Sequence, residues 1–205
     1  MTTIMAVCTG NQCRSPIAEF TLRRLLAERH VTGVAVTSAG TLRLPPHPID
    51  PAAADLLFDD GVDASALAAF RSTPLTPEAI EAADLILCFE RRQIGELLSC
   101  MPAARARTFL FDDAVNACRR LLDDARFTAG ATVDDRIATL IDETPLIRPF
   151  LPAAAETTDP HAQPWNVFER VHGEILRGMA VLADALIGGV PAGVGSFARL
   201  DGLHA

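Results

Sequence analysis

Cys8-Thr9-Gly10-Asn11-Gln12-Cys13-Arg14-Ser15-Pro16 follows a short apolar run, Thr3-Ile4-Met5-Ala6-Val7, and precedes a helical pattern that starts at Ile17. The apolar, partly β-branched run reads as a buried strand, so the local order is strand, loop, helix. A turn between the carboxyl end of a parallel strand and the amino end of a helix gathers unpaired backbone N–H groups into a concave anion site. A thiol at its rim feels the positive helix end and the inward N–H groups, which lower a cysteine pKa from about 8.5 into the range ~3.5–7.5. Cys8 is therefore predicted to be a thiolate at neutral pH. Arg14 presents a planar fork that can hold two non-bridging oxygens of a phosphate or arsenate at once, as a lysine cannot. Gly10 and Asn11 are expected to take positive φ as the loop wraps an anion. Ser15 is expected to cap the helix and offer its hydroxyl to the sulfur, with Pro16 in the first helical turn. A cysteine at a strand end is more often a core residue. The complete set, in its strand-to-helix context, favours a nucleophile.

Taken as a whole, Val7 to Pro16 resembles the phosphate-binding loop of the low-molecular-weight protein tyrosine phosphatases, a fold also used by thiol-linked arsenate reductases. The resemblance implies phosphomonoester hydrolysis through a cysteinyl-phosphate, with Cys8 as nucleophile and Arg14 as phosphate clamp. Thr9, Gly10, Asn11, Gln12, Cys13 and Ser15 would complete the phosphate cradle, and neither a cofactor nor a metal is implied. The substrate is then a phosphoprotein carrying phosphotyrosine, or a small phosphomonoester, and the protein a monomer or weak homo-oligomer.

Composition agrees with a soluble domain. The 205 residues carry a net charge of −8, with pI near 5.0, which argues against broad binding to nucleic acid or to anionic membranes. Five cysteines without a compact framework of spacings fit a reducing compartment. No Cys-x-x-Cys pair or His/Cys ligand spacing points to zinc. With neither a signal-like amino terminus nor a long apolar run, the expected location is the cytoplasm.

Along the chain, Ile17, Phe20, Leu22, Leu25 and Leu26 give a first helix an apolar stripe, and Gly33 to Ser38 reads as a second strand. That strand runs into Ser38-Ala39-Gly40-Thr41, similar to a Ser-Ala-Gly stretch that lies beside the catalytic loop in the family. Ser38 is thus a candidate support for the loop, or simply a turn serine. Residues 42–51 hold four prolines and read as a restrained surface loop, corresponding by resemblance to one wall of the substrate cleft. Leu42, Leu44 and His47 stand there where relatives often carry an aromatic residue. A helix opens at Asp50-Pro51 with Ala54, Leu57 and Phe58 inward, and another at Thr76-Pro77. Asp84 to Phe89 and Arg105 to Phe111 read as third and fourth strands. The expected fold is α/β: a small doubly wound sheet of four parallel strands flanked by helices, its site over the strands' carboxyl ends. Residues 1–188 would form one domain, with a helical insertion at about 112–152 near the site's mouth and a tail at 189–205.

Asp159-Pro160 immediately precedes a long amphipathic helix beginning at Trp165. Asp-Pro alone is a common turn pair. The resemblance assigns Asp159 the general acid, since the family places an Asp-Pro pair just before its final helix. Relatives often follow that pair with two tyrosines, but here His161 and Ala162 follow, and the chain has no tyrosine. Cys13 is either a redox partner of Cys8 or a small packing residue. Two rivals share the loop. An arsenate reductase would need Cys88 and Cys100 to pass electrons onward, and a non-catalytic phosphate-binding module would need neither Cys8 nor Asp159.

Overall fold

The computed structural model describes residues 1–188; the expected tail at 189–205 lies outside the described residues. Four parallel strands, β1 (Thr2–Cys8), β2 (Val34–Gly40), β3 (Leu85–Cys88) and β4 (Thr108–Leu110), form one sheet in the order β2-β1-β3-β4. Helix α1 (Arg14–Glu28) carries the chain from β1 to β2. The short helices α2 (Pro51–Asp59), α3 (Ala64–Ala69) and α4 (Pro77–Ala82) lead to β3 on the other side of β1. The strand order therefore reverses beside β1, and in a doubly wound sheet the crevice at that reversal opens over the carboxyl ends of the strands. Register brings those ends level, with Cys8 opposite Gly40 and Val7 opposite Cys88.

The two-residue period of each strand divides the core into two layers. Ile4, Ala6 and Cys8 of β1 and Leu85 and Leu87 of β3 face the larger layer, which holds α1, α2 and the last helix. Met5, Val7, Ile86 and Cys88 face the smaller one with Ile80, Leu97 and Ala104. Between β3 and β4 run α5 (Arg91–Cys100) and a 3₁₀ stretch, Pro102–Arg107. β4 is thus shorter than the apolar run predicts, because Pro102 starts a 3₁₀ turn that consumes Arg105 and Arg107.

After β4 come α6 (Phe111–Asp123) and α7 (Val133–Ile147), then a 3₁₀ turn and α8 (Trp165–Ile187). α6 buries Phe111, Ala114, Val115, Cys118 and Leu121. Gly178 of α8 gives it room: a Cβ there would lie 2.4 Å from Phe111 Cζ. Pro145 sits inside α7, where it leaves the Ile141 carbonyl without its helical donor. Two details of α2 and α1 also differ from expectation. Ala53 and Leu57 are the buried residues of α2 while Phe58 is 59% exposed, and α1 starts at Arg14 with Cys13 as an N-cap whose side chain makes no cap bond.

Candidate active site

Cys8 ends β1 and the loop 9–13 turns over it into α1. Asn11 takes the left-handed conformation at φ 52°, as expected, whereas Gly10 has no positive φ. The glycine that this geometry demands is Gly40: a Cβ on it would stand 2.9 Å from the Thr9 carbonyl oxygen and 3.0 Å from Asn11 N. The loop backbone rests on the end of β2, tied by Thr41 N to Cys8 O at 2.9 Å and Leu42 N to Thr9 O at 3.0 Å.

Beneath the loop runs a buried polar chain. Asn11 Nδ2 donates to Ser15 Oγ at 2.9 Å and to Ser38 Oγ at 2.7 Å, while Asn11 Oδ1 accepts from Thr73 N at 2.8 Å. Ser38 in turn donates to Glu19, which also pairs with Arg23 at 2.6 Å. With Ser15 Oγ already accepting from Asn11, its own hydrogen is free for Cys8 Sγ, 3.0 Å away. Ser15 therefore serves the sulfur; as the second residue of α1 it is not the cap. Burial pushes the Glu19 carboxyl above its ordinary value, opposed by the Ser38 hydrogen bond and the Arg23 charge.

Arg14 is 1% exposed, and a buried charge needs partners. Its Nη1 reaches Glu90 Oε1 at 2.5 Å and the Thr157 carbonyl at 3.0 Å, and its Nη2 meets Asp159 Oδ2 at 2.9 Å. Nε has no partner among the described residues. Glu90 and Gln93 close a capping box at the start of α5, and Gln93 and Arg92 both donate to Thr9 Oγ1. Glu90, Gln93 and Thr157 escaped the sequence reading. The signal for Glu90 was available: a buried arginine needs a fixed carboxylate, and Glu90 directly follows the apolar β3 run, level with the loop.

The segment bearing Asp159 reaches the loop because Thr157 N bonds Phe89 O at 3.0 Å and Thr157 Oγ1 bonds Glu174 of α8 at 2.8 Å. Asp159 Oδ1 accepts from His161 N at 3.2 Å. Cys8, Thr9, Gly10, Gln12, Cys13, Arg14, Leu42, Leu44, Asp159 and His161 enclose a pocket of about 130 Å³. All the site residues picked out in the sequence converge here, with Asn11, Ser15 and Ser38 just underneath. Among the described residues no phenylalanine or tryptophan lines the pocket; Trp165 stays outside it, 47% exposed. His47 is an exposed loop histidine bonded to Pro45 O, and residues 112–152 contribute nothing to the pocket. A larger groove of about 750 Å³, between α5, β4 and residues 151–154, holds no cysteine or serine among the described residues.

One group of donors answers to no spacing in the sequence. Cys13 Sγ, an Asp50 carboxylate oxygen and a His161 ring nitrogen lie within 4.8 Å of one another. Burial, first of all, and the neighbouring Asp50 carboxylate push the Cys13 thiol far up. The cysteines of the arsenate-reductase alternative do not converge: Cys88 is fully buried on the sheet face opposite Cys8, and Cys100 is exposed at the end of α5.

The fold and this loop define a class, a doubly wound α/β protein with a cysteine and a buried arginine around an anion pocket. Comparison with known proteins sharpens it. The sequence model described as low molecular weight phosphotyrosine protein phosphatase matches residues 3–126, and the chain belongs to that family. Low molecular weight protein-tyrosine-phosphatase Etp of Escherichia coli is 42% identical over 108 residues, 53% of this chain and 68% of that protein. The protein-arginine-phosphatase of Bacillus subtilis is 36% identical over 112 residues, 55% of this chain and 71% of that one. Among solved structures, a YwlE mutant from Bacillus subtilis superposes with a TM-score of 0.68 at 22% identity, covering 91% of this chain and 99% of its own, a likeness of fold. No described helix is long and apolar enough to cross a membrane.

Proposed function

We propose that the protein hydrolyses phosphomonoesters, protein phosphotyrosine foremost, through a cysteinyl-phosphate. The observation that carries this reading is Arg14, a buried guanidinium beside Cys8 whose Nε lacks a partner among the described residues. An unsatisfied buried donor is costly, and an oxyanion in the loop would satisfy it. The Cys8 sulfur attacks phosphorus, and the S–P bond forms as the P–O bond to the leaving group breaks. Arg14 and the loop amides take up the charge on the three equatorial oxygens. Asp159 protonates the departing oxygen, then accepts a proton from the water that splits the S–P bond and releases inorganic phosphate. Ser15, donating to the sulfur, eases its departure in that second step. A bound phosphate dianion competes with Asp159 for Nη2 of Arg14, which turns the carboxyl toward the leaving group.

Hydrolysis of p-nitrophenyl phosphate without added metal, blocked by vanadate and absent in Cys8→Ser, is the expected result. Activity that survives in Cys8→Ser would overturn the mechanism. A second reading, hydrolysis of phosphoarginine, is favoured by the missing aromatic wall, by Gln12, Asp159 and His161 in the lining, and by the name of the Bacillus subtilis relative. Parallel assays on phosphotyrosine and phosphoarginine peptides decide between them by the ratio of kcat/KM. The five free cysteines and a thiol nucleophile agree with a reducing cytoplasm, and we assign the protein there, acting on phosphoproteins as a monomer or weak homo-oligomer.

A further inference from the structure

We propose that Cys13, Asp50 and His161 form a binding site for a zinc-type divalent cation at the rim of the pocket, and that its occupation restrains the Asp159 turn. The three donors come from three separate segments: the loop before α1, the residue capping α2, and the turn before α8. Their ligand atoms lie within 4.8 Å of one another, and Asp50 Oδ2 stands 3.6 Å from His161 Nδ1. A tetrahedral ion with Zn–N and Zn–O bonds of about 2.0–2.2 Å and Zn–S of about 2.3 Å spaces its ligands roughly 3.3–3.7 Å apart. Movements of about 1 Å by an exposed histidine therefore complete the triangle. Among the described residues no other trio of possible ligands comes as close.

Asp50 is already oriented for this role. Its Oδ1 accepts from Ala52 N at 2.9 Å and its own N–H donates to Gln12 O at 3.0 Å, which leaves Oδ2 turned toward His161. A thiolate, an imidazole and a carboxylate are a donor set for zinc or its congeners; magnesium and calcium prefer oxygen alone. On binding, Cys13 gives up its proton, and the cation replaces it between sulfur and carboxylate. Three protein ligands leave a fourth position open. Cys13 and His161 both line the Cys8 pocket, so that position faces it. His161 lies two residues beyond Asp159, and the ion would therefore tie the turn bearing that carboxylate to the loop bearing Cys8.

Cobalt(II) titration of Cys8→Ser protein tests the site without reference to catalysis. The expected result is a thiolate-to-cobalt charge-transfer band that saturates at one equivalent and disappears when zinc is added. The band should be lost in Cys8→Ser/Cys13→Ser and require at least ~10-fold more cobalt in Cys8→Ser/His161→Ala and Cys8→Ser/Asp50→Asn. His161 is exposed, so its variant still reports if the Cys13 variant fails to fold. A band that survives loss of Cys13, or affinity indifferent to His161, overturns the site. In the Cys8 protein, zinc should inhibit p-nitrophenyl phosphate hydrolysis reversibly with a chelator, and at least ~10-fold more zinc should be needed in His161→Ala. Cobalt binding without that inhibition overturns the restraint on the Asp159 turn.

Discussion

Asp159 is held from two sides before any substrate arrives, by Arg14 at 2.9 Å and by the His161 amide at 3.2 Å. As a carboxylate it therefore competes with phosphate for the guanidinium in the free protein, and once phosphate is bound it serves the leaving group as the carboxylic acid. Asp159→Ala should lower kcat on p-nitrophenyl phosphate by ~10²-fold, within the range that general acids contribute. The same change should leave vanadate inhibition as tight or tighter, because Arg14 loses a rival for the anion. Steady-state kinetics with vanadate as inhibitor separate the two effects, and unchanged kcat would remove Asp159 from the chemistry. At this scale the sequence was most legible where a residue's role is local. Cys8 ends β1 and Arg14 and Ser15 open α1 just after the loop, so that strand, turn and helix fix their relation. Glu90 and Thr157 were harder to see because Arg14 reaches them only after β3 and the 155–159 segment fold against the loop. Gly40 escaped for a similar reason: its lack of a side chain matters only because the Thr9 and Asn11 backbone lies on it.

Between elements, the polar chain from Glu19 through Ser38 and Asn11 couples α1 and β2 to the loop, and its charge is held in a buried setting. Because burial raises the folded-state pKa of Glu19, the native protein binds more protons than the unfolded chain just above the ordinary carboxylate range. This contribution to stability is complete at low pH and is lost as pH rises through the raised value. Glu19→Gln should flatten that part of the pH profile, measured as urea midpoints at a series of pH values; an unchanged slope would mean Glu19 is not its source. On the far side of the larger layer, α8 depends on Gly178. A methyl there would sit 2.4 Å and 2.8 Å from two atoms of the Phe111 ring and 3.1 Å from Val115 Cγ2. Phe111 cannot retreat easily, since it packs on Phe89 with ring centroids 5.3 Å apart. Gly178→Ala should cost about 1–3 kcal/mol in urea unfolding, and Phe111→Leu in the same protein should recover part of it. Helical periodicity revealed α6, α7 and α8 themselves, but not this contact. The period fixes which face of a helix is apolar and leaves open which helix it meets. The same limit explains Phe58, which satisfies the apolar pattern of α2 yet points to solvent because the core below is already filled by Ala53 and Leu57.

For the whole molecule, the two-residue period of the sheet decides which thiols can act together. Cys8 faces the larger layer and opens into the pocket; Cys88, one step along the neighbouring strand, faces the smaller layer and is fully buried. Sequence distance had left both in contention as members of one relay, since alternation separates them only when the register of β1 against β3 is known. Burial pushes the Cys118 thiol up to about 12 and raises the Cys88 thiol as well, and Cys13 is raised by burial and by Asp50. None of these three should react with Ellman's reagent in native protein at mildly alkaline pH, because a buried, protonated thiol is a poor nucleophile. Exposed Cys100 and pocket-lining Cys8 should react, Cys8 should be protected by vanadate, and the remaining three should appear only in urea. Peptide mapping of the labelled protein assigns each site. Native labelling of Cys88 would mean that the sheet opens far enough to bring it into contact with solvent.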